Sequence, residues 1–219
     1  MGINKADFIE GLKGTLCDSQ VVEALKAAVT EPLQKEINEL KGIIVQKDKQ
    51  LTDLETQLKD LQHKCDSNEQ YSRRNNLRIY GLRENPDENL TETVTSLLNK
   101  ELELQPPLTH ADIDRVHRIG PNKPGNQQQP RQCILKLTTY QARARIYKAR
   151  TKLRRSQTRL FINEDLTKIR ADLLWAIRDL KRKEKLQDGW SHDGKVTVKL
   201  SDGKIKQIKD KEHLSSLIN

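Results

Sequence analysis

Aromatic side chains are scarce in this chain of 219 residues: two Trp, four Tyr and two Phe, 4% of the sequence. A surface that gripped its ligand by stacking alone would need more rings than that. The three cysteines, Cys17, Cys65 and Cys133, stand far apart, with no Cys-x-x-Cys pair and no histidine at ligand spacing. They suggest neither a disulfide framework nor a zinc site, and they suit a reducing compartment. No run of 18 apolar residues occurs, and residues 1–18 lack the apolar stretch of a secretory leader. Neither a spanning helix nor a signal peptide is therefore expected. The phosphate-cradling glycine loop, the Gly-x-Ser-x-Gly elbow and the His-Glu-x-x-His zinc signature are also missing, so the expectation is a protein that is not an enzyme. His110, Asp112, Asp114 and His117 come closest to a metal cluster, but they read as ordinary polar residues on a strand.

The most informative absence is local. Residues 131–160 contain no Asp and no Glu. They contain ten Lys or Arg: Arg131, Lys136, Arg143, Arg145, Lys148, Arg150, Lys152, Arg154, Arg155 and Arg159. That is one more than the formal net charge of +9 of the whole chain, so the basicity is focal. A focal cationic surface seeks a polyanion, with nucleic acid first and anionic membrane second. The bland alternative is a solvated helix face.

Within the stretch, Cys133, Leu135 and Leu137 alternate with polar neighbours and predict a strand with one buried face. From Thr139 the period becomes helical. Ala142, Ile146, Ala149 and Leu153 make a stripe, and Arg143, Arg145, Lys148, Arg150, Lys152 and Arg154 fill the other sides. Residues 159–162 then read as a short strand.

Upstream, residues 1–32 are weakly patterned helix, with Asp18 or Ser19 as a cap and Glu31-Pro32 placed for the first turn of a new helix. From residue 33 a heptad begins. Leu33, Leu40, Leu54 and Leu61 share one seam position with Lys47, and Ile37, Ile44, Leu51 and Leu58 share the other with Cys65. This predicts a coiled coil over residues 33–72, roughly 55 Å long, with His63 and Cys65 in or beside the seam. Residues 75–82 read as a strand, with Leu77 and Ile79 on one face and Arg78 and Tyr80 on the other. Asn89 and Glu92 make a capping pattern before a helix that Pro106-Pro107 stops. Ile113, Val116 and Ile119 predict a bulged strand, and residues 120–130 a flexible loop.

The fold class expected is α+β. A long coiled-coil helix precedes a β-α-β-β-α-β ferredoxin-like RNA-recognition-motif domain over residues 73–162 and a small α-β-β-α domain over 163–219. In the last domain Leu166, Ile169, Leu173, Ala176, Ile177 and Leu180 form the helix stripe. An Asp202-Gly203 hairpin is expected to bury Val196, Val198, Leu200 and Ile205, before a closing helix over residues 211–218.

Four segments, in order after the heptads, resemble the first-open-reading-frame proteins of LINE-class retrotransposons. They are Tyr71-Ser72-Arg73-Arg74-Asn75-Asn76-Leu77-Arg78-Ile79-Tyr80-Gly81, then Ile113-Asp114-Arg115-Val116-His117-Arg118-Ile119-Gly120, then residues 131–155, and last Trp190 with Asp193-Gly194-Lys195 and Asp202-Gly203-Lys204-Ile205. The resemblance implies self-association through the rod, usually as trimers. It also implies single-stranded nucleic acid held in a cleft between the two small domains, and chaperone activity without turnover. The family's contact positions fall here on Arg73, Arg74, Arg131, Lys136, Arg150, Arg154 and Arg155. Reading the residues adds Arg78 and Tyr80 on the first strand and Lys148, Lys152 and Arg159 in the basic stretch. The chain departs from the family in two ways. Its third strand has no aromatic pair, and Gln50 stands where the rod signature has Arg, although Glu55 is present.

The expected partners are single-stranded RNA, single-stranded DNA and further copies of this chain, as dimer or trimer, in cytoplasmic or nuclear ribonucleoprotein. No cofactor, membrane or small-molecule substrate is expected. The alternative class is a coiled-coil adaptor whose basic helix meets an anionic membrane or a protein.

Overall fold

A computed structural model describes residues 4–16, 18–121 and 130–218. Cys17 and most of the loop expected over residues 120–130 lie outside the described residues. The chain forms two units, Met1–Gln62 and His63–Asn219.

The first unit contains α1 (Lys5–Leu16) and residues 19–62 of α2 (Ser19–Ser72). Asp18 starts α2 by accepting the Gln20 N–H at 2.8 Å, which satisfies a donor that has no partner inside the helix. Pro32 does not begin a new helix as expected; it lies inside α2. Proline deletes one rung of the hydrogen-bond ladder, and the helix-forming residues on both sides carry α2 through it. The eight apolar seam residues, Leu33, Ile37, Leu40, Ile44, Leu51, Leu54, Leu58 and Leu61, are all 43–61% exposed.

The second unit begins with the end of α2. There β1 (Asn76–Tyr80), α3 (Leu90–Leu102), β2 (Ile113–Arg118), β3 (Cys133–Leu137), α4 (Tyr140–Ala149) and β4 (Phe161–Glu164) follow in order. The four strands make one antiparallel sheet in the order β2-β3-β1-β4. Alternation decides its faces. Leu77, Ile79, Leu135, Leu137 and Ile162 point inward and pack with Val94, Leu98 and Leu102 of α3 and Ala142 and Ile146 of α4. Each fully buried Leu or Ile contributes about 1.5–3 kcal/mol by leaving water. The expected bulge in β2 is present, between Ile113 and Arg115. Asn89 caps α3 through the Glu92 N–H, and Thr139 caps α4 through the Ala142 N–H. The fourth strand lies two residues later than expected; Ile162 and Glu164 point inward from it, and Leu160, just before it, is buried in the same core.

The rest is α5 (Lys168–Arg182), a second sheet β5-β6-β7 (Asp188–His192, Lys195–Lys199 and Ile205–Ile208) and α6 (Lys211–Ser215). Three expectations are corrected here. The sheet has three strands, not two. The missed β5 (Asp-Gly-Trp-Ser-His) has little strand propensity, but Asp193 and Gly194, both at positive φ, join it to β6 as a two-residue hairpin. Ile205 is 62% exposed, because the register sets it opposite Lys199; Ile208, opposite Val196, is the buried residue. Ile169 is 48% exposed, and Leu166 precedes α5, whose buried side is Leu173, Leu174 and Ile177.

Arg118, its side chain only 5% exposed, holds the turn after β1. It donates to the carbonyls of Leu82, Arg83 and Arg131 at 2.7–3.1 Å and to both carboxylate oxygens of Glu88 at 2.6 and 2.9 Å. The guanidinium holds the Glu88 carboxyl below its ordinary range, and hydrogen bonds from Arg131 do the same for Glu84. The folded carboxylates therefore bind protons less readily than unfolded ones. Their contribution is complete above the ordinary carboxylate range and is lost as pH falls through the lowered folded values. Arg118→Met is expected to destabilise the unit by about 3 kcal/mol, since it strands a half-buried carboxylate and three carbonyls. Chemical denaturation as a function of pH checks this; the variant is expected to lose less stability than the parent between about pH 5 and pH 2.

Candidate functional site

The second unit is held together by a junction of the α2 end, the start of β1, and residues 164–167 between β4 and α5. Asp66 and Gln70 of α2 are buried. Asp66 accepts from the Thr167 hydroxyl and from Arg170 Nε at 2.7 Å. The Gln70 amide spans two backbone groups, accepting from the Thr167 N–H at 2.9 Å and donating to the Asp165 carbonyl at 3.0 Å. His63 stands 3.4 Å from Asp210, and Cys65 is exposed. This end of α2 packs on C-terminal elements of its own unit.

Asp165, 2% exposed, is the centre of the junction. It accepts from Arg73 Nη1 at 3.1 Å, Arg78 Nε at 2.7 Å and Asn76 Nδ2 at 3.0 Å. Beside it, Arg143 bridges Glu164 at 2.5 Å and Asp193 at 2.8 Å. Tyr140 donates to the other Asp193 oxygen at 2.8 Å, and that bond pushes its hydroxyl pKa up. Gly194, at φ 75°, lets the β5–β6 turn meet Gln70: a Cβ there would stand 2.6 Å from Gln70 Cγ. A cavity of about 230 Å³ opens at this place, lined by Tyr71, Arg73, Arg74, Tyr140, Arg143 and Asp193 among others. Three cations, Arg73, Arg74 and Arg143, meet three carboxyls, Glu164, Asp165 and Asp193, in its wall. Arg143 Nε and Glu164 Oε2 are buried without a hydrogen-bond partner among the described residues. The junction is charge-balanced and polar rather than strongly cationic.

The predicted cations fall into two groups. Five of the ten in residues 131–160 hold carboxylates of the same unit. Arg131 pairs with Glu84, Lys136 with Asp114, Arg143 as above, Arg145 with Asp112, and Lys152 with Glu103. Arg143 corrects the sequence reading most sharply: it is 3% exposed, not on an outer helix face. Arg73 and Arg78, expected as open contacts, are engaged by Asp165. Arg74 is exposed and lies over the Tyr71 ring, 4.1 Å from its centroid.

The second group is Lys148, Arg150, Arg154, Arg155 and Arg159. No carboxylate lies within ion-pair distance of any of them among the described residues. Lys148 lies in the last turn of α4, and a 3-10 turn, Arg150–Arg155, carries the next three. Leu153, 6% exposed, pins the turn to the core and leaves Arg154 and Arg155 outside with Arg159. Arg150 covers the Tyr147 ring, 3.5 Å from its centroid. A run of exposed cations on a rigid turn can contact several phosphates at once.

On the open face of the first sheet Tyr80 is half-buried, and directly across from it stands Phe161, which the sequence reading passed over. Strand alternation was the available signal, since Phe161 and Ile162 cannot both face inward. Asp165, Glu164 and Asp193 had no such signal, because their partners lie 21 to 92 residues away. Among the described residues no group of His, Cys, Asp and Glu converges as a metal site, and no helix is long and apolar enough to cross a membrane.

Arg73→Ala or Arg78→Ala is expected to lower the melting temperature, because each leaves the buried Asp165 short of a donor. Arg154→Ala with Arg155→Ala is expected to leave stability within about 0.5 kcal/mol of the parent, as surface changes do. Thermal and chemical denaturation of the three variants checks this. A search of protein-family models found none that matches this chain, and a search of curated proteins found no match either.

Proposed function

We propose that this chain is a non-enzymatic, single-stranded nucleic-acid-binding protein and nucleic-acid chaperone. In this reading it coats RNA of a LINE-class retrotransposon as a ribonucleoprotein and self-associates through the α2 seam. The observation that carries the reading is the set of exposed cations Lys148, Arg154, Arg155 and Arg159, on and beside a 3-10 turn, with no carboxylate in ion-pair distance among the described residues. Half of the basic stretch is consumed internally, and Lys148, Arg150, Arg154, Arg155 and Arg159 have no carboxylate within ion-pair distance among the described residues.

Two further features support it. The order β-α-β-β-α-β with strands arranged β2-β3-β1-β4 is that of a ferredoxin-like sandwich, the frame of RNA-recognition motifs. The eight apolar seam residues are exposed at heptad spacing, which suits burial against copies of the same helix.

The mechanism is polyvalent electrostatics. Each protomer meets several phosphates with separate cations, and joining protomers raises avidity without new contacts. Few groups reach base edges, so sequence preference is weak. Many individually weak contacts exchange quickly and allow strands to rearrange.

Binding to a single-stranded RNA is expected to weaken steeply with salt, at about −0.7 in log affinity per log salt for each phosphate neutralised. Arg154→Ala with Arg155→Ala is expected to flatten that slope by about 1.4, equally for unrelated sequences. Fluorescence anisotropy over a salt series checks this; a flat response in the parent refutes the phosphate mechanism. Ile44→Asp with Leu51→Asp is expected to give a monomer by light scattering, with weaker RNA binding and an unchanged slope per protomer.

A further inference from the structure

We propose that Phe161 and Tyr80 form a base-stacking step for single-stranded nucleic acid on the open face of the first sheet. The proposal rests on the nucleic-acid reading above and adds a contact that phosphate attraction does not supply.

Register and alternation place the pair. Tyr80 and Phe161 are direct partners across β1 and β4, so their Cβ atoms stand about 4.5–5.5 Å apart. Their neighbours Ile79 and Ile162, 1% and 4% exposed, take the inner face, and both rings therefore stand on the outer one. Phe161 is 65% exposed, one of only two phenylalanines in the chain, and folding gains little from it there.

The surroundings favour a polyanion that carries rings. Residues 78–83 and 156–163 include no carboxylate, while Arg159, exposed, precedes Phe161 by two positions. The 3-10 turn bearing Arg154 and Arg155 packs against β4. Gly81, at φ 81°, holds the end of β1 to this segment. A Cβ there would overlap the Arg159 carbonyl oxygen at 2.1 Å, so no other residue permits the approach. Asn76 and Glu164, which line the junction cavity, stand four residues along β1 from Tyr80 and three along β4 from Phe161, about 13 and 10 Å away, and neither ring lines that cavity. Phosphates following the cationic turn bring their bases over these rings, and stacking selects strands whose bases are free.

The test compares a labelled oligouridine with an abasic strand of equal length and charge, by anisotropy on the full chain. The parent is expected to bind oligouridine about tenfold more tightly than the abasic strand. Phe161→Ala and Phe161→Leu are expected to erase that difference while binding the abasic strand as the parent does; Phe161→Trp is expected to keep it. Equal melting temperatures confirm that the variants fold. If the parent binds both strands equally, or Phe161→Ala keeps the full ratio, this proposal fails and the phosphate reading stands. If the parent binds neither strand, both fail.

Discussion

A carboxyl group with 2% of its surface in contact with water persists only if donors surround it, and Asp165 has three, from Arg73, Asn76 and Arg78. The second unit is arranged around that requirement. Arg73 lies just past the end of α2, Asn76 and Arg78 belong to β1, and Asp165 belongs to the chain leaving β4. Meeting the need of one buried group thus fixes three segments to each other. Arg143 repeats the device next door, joining α4 to Glu164 and to the β5–β6 turn through Asp193. Breaking either set leaves a buried polar group alone, which costs more than the intact pair gains.

This division of labour separates two roles that look identical in sequence. An arginine beside a buried carboxyl positions backbone; Arg154 and Arg155, on a turn that Leu153 pins to the core, face solvent and remain free to meet phosphate. The local reason is the change from α4 to a 3-10 turn after Ala149. The tighter turn sends Leu153 inward while its neighbours Lys152 and Arg154 point away. The concentration of charge noticed first in the sequence is therefore roughly halved at the surface, and the remainder gathers in one segment.

Periodic features were legible early. The strands at Leu77–Ile79 and Cys133–Leu137, the β2 bulge, the cap at Asn89 and the change to helical period at Thr139 all follow from spacing and local hydrogen bonding. The second sheet was read less well. Its first strand contains Gly189 and polar residues whose strand geometry comes from pairing with β6, not from propensity. The misplacing of Ile205 has a related cause: a one-residue difference in register reverses the face of every side chain, and the pairing Lys199 to Ile205 is set only when the strands meet.

By itself the sequence determined the periods, the caps, the exposed apolar seam of α2 and the focal excess of Lys and Arg. Each depends on neighbours within a turn of helix or a few strand residues, where covalent geometry fixes who is near whom. Only the tertiary structure decided which cations face water, because their carboxyl partners are brought in from distant parts of the chain. It also decided that Phe161 stands opposite Tyr80 and that the last turns of α2 pack within its own unit. Charge and ring count can be read along a chain, but pairing and exposure are properties of the surfaces that folding brings together.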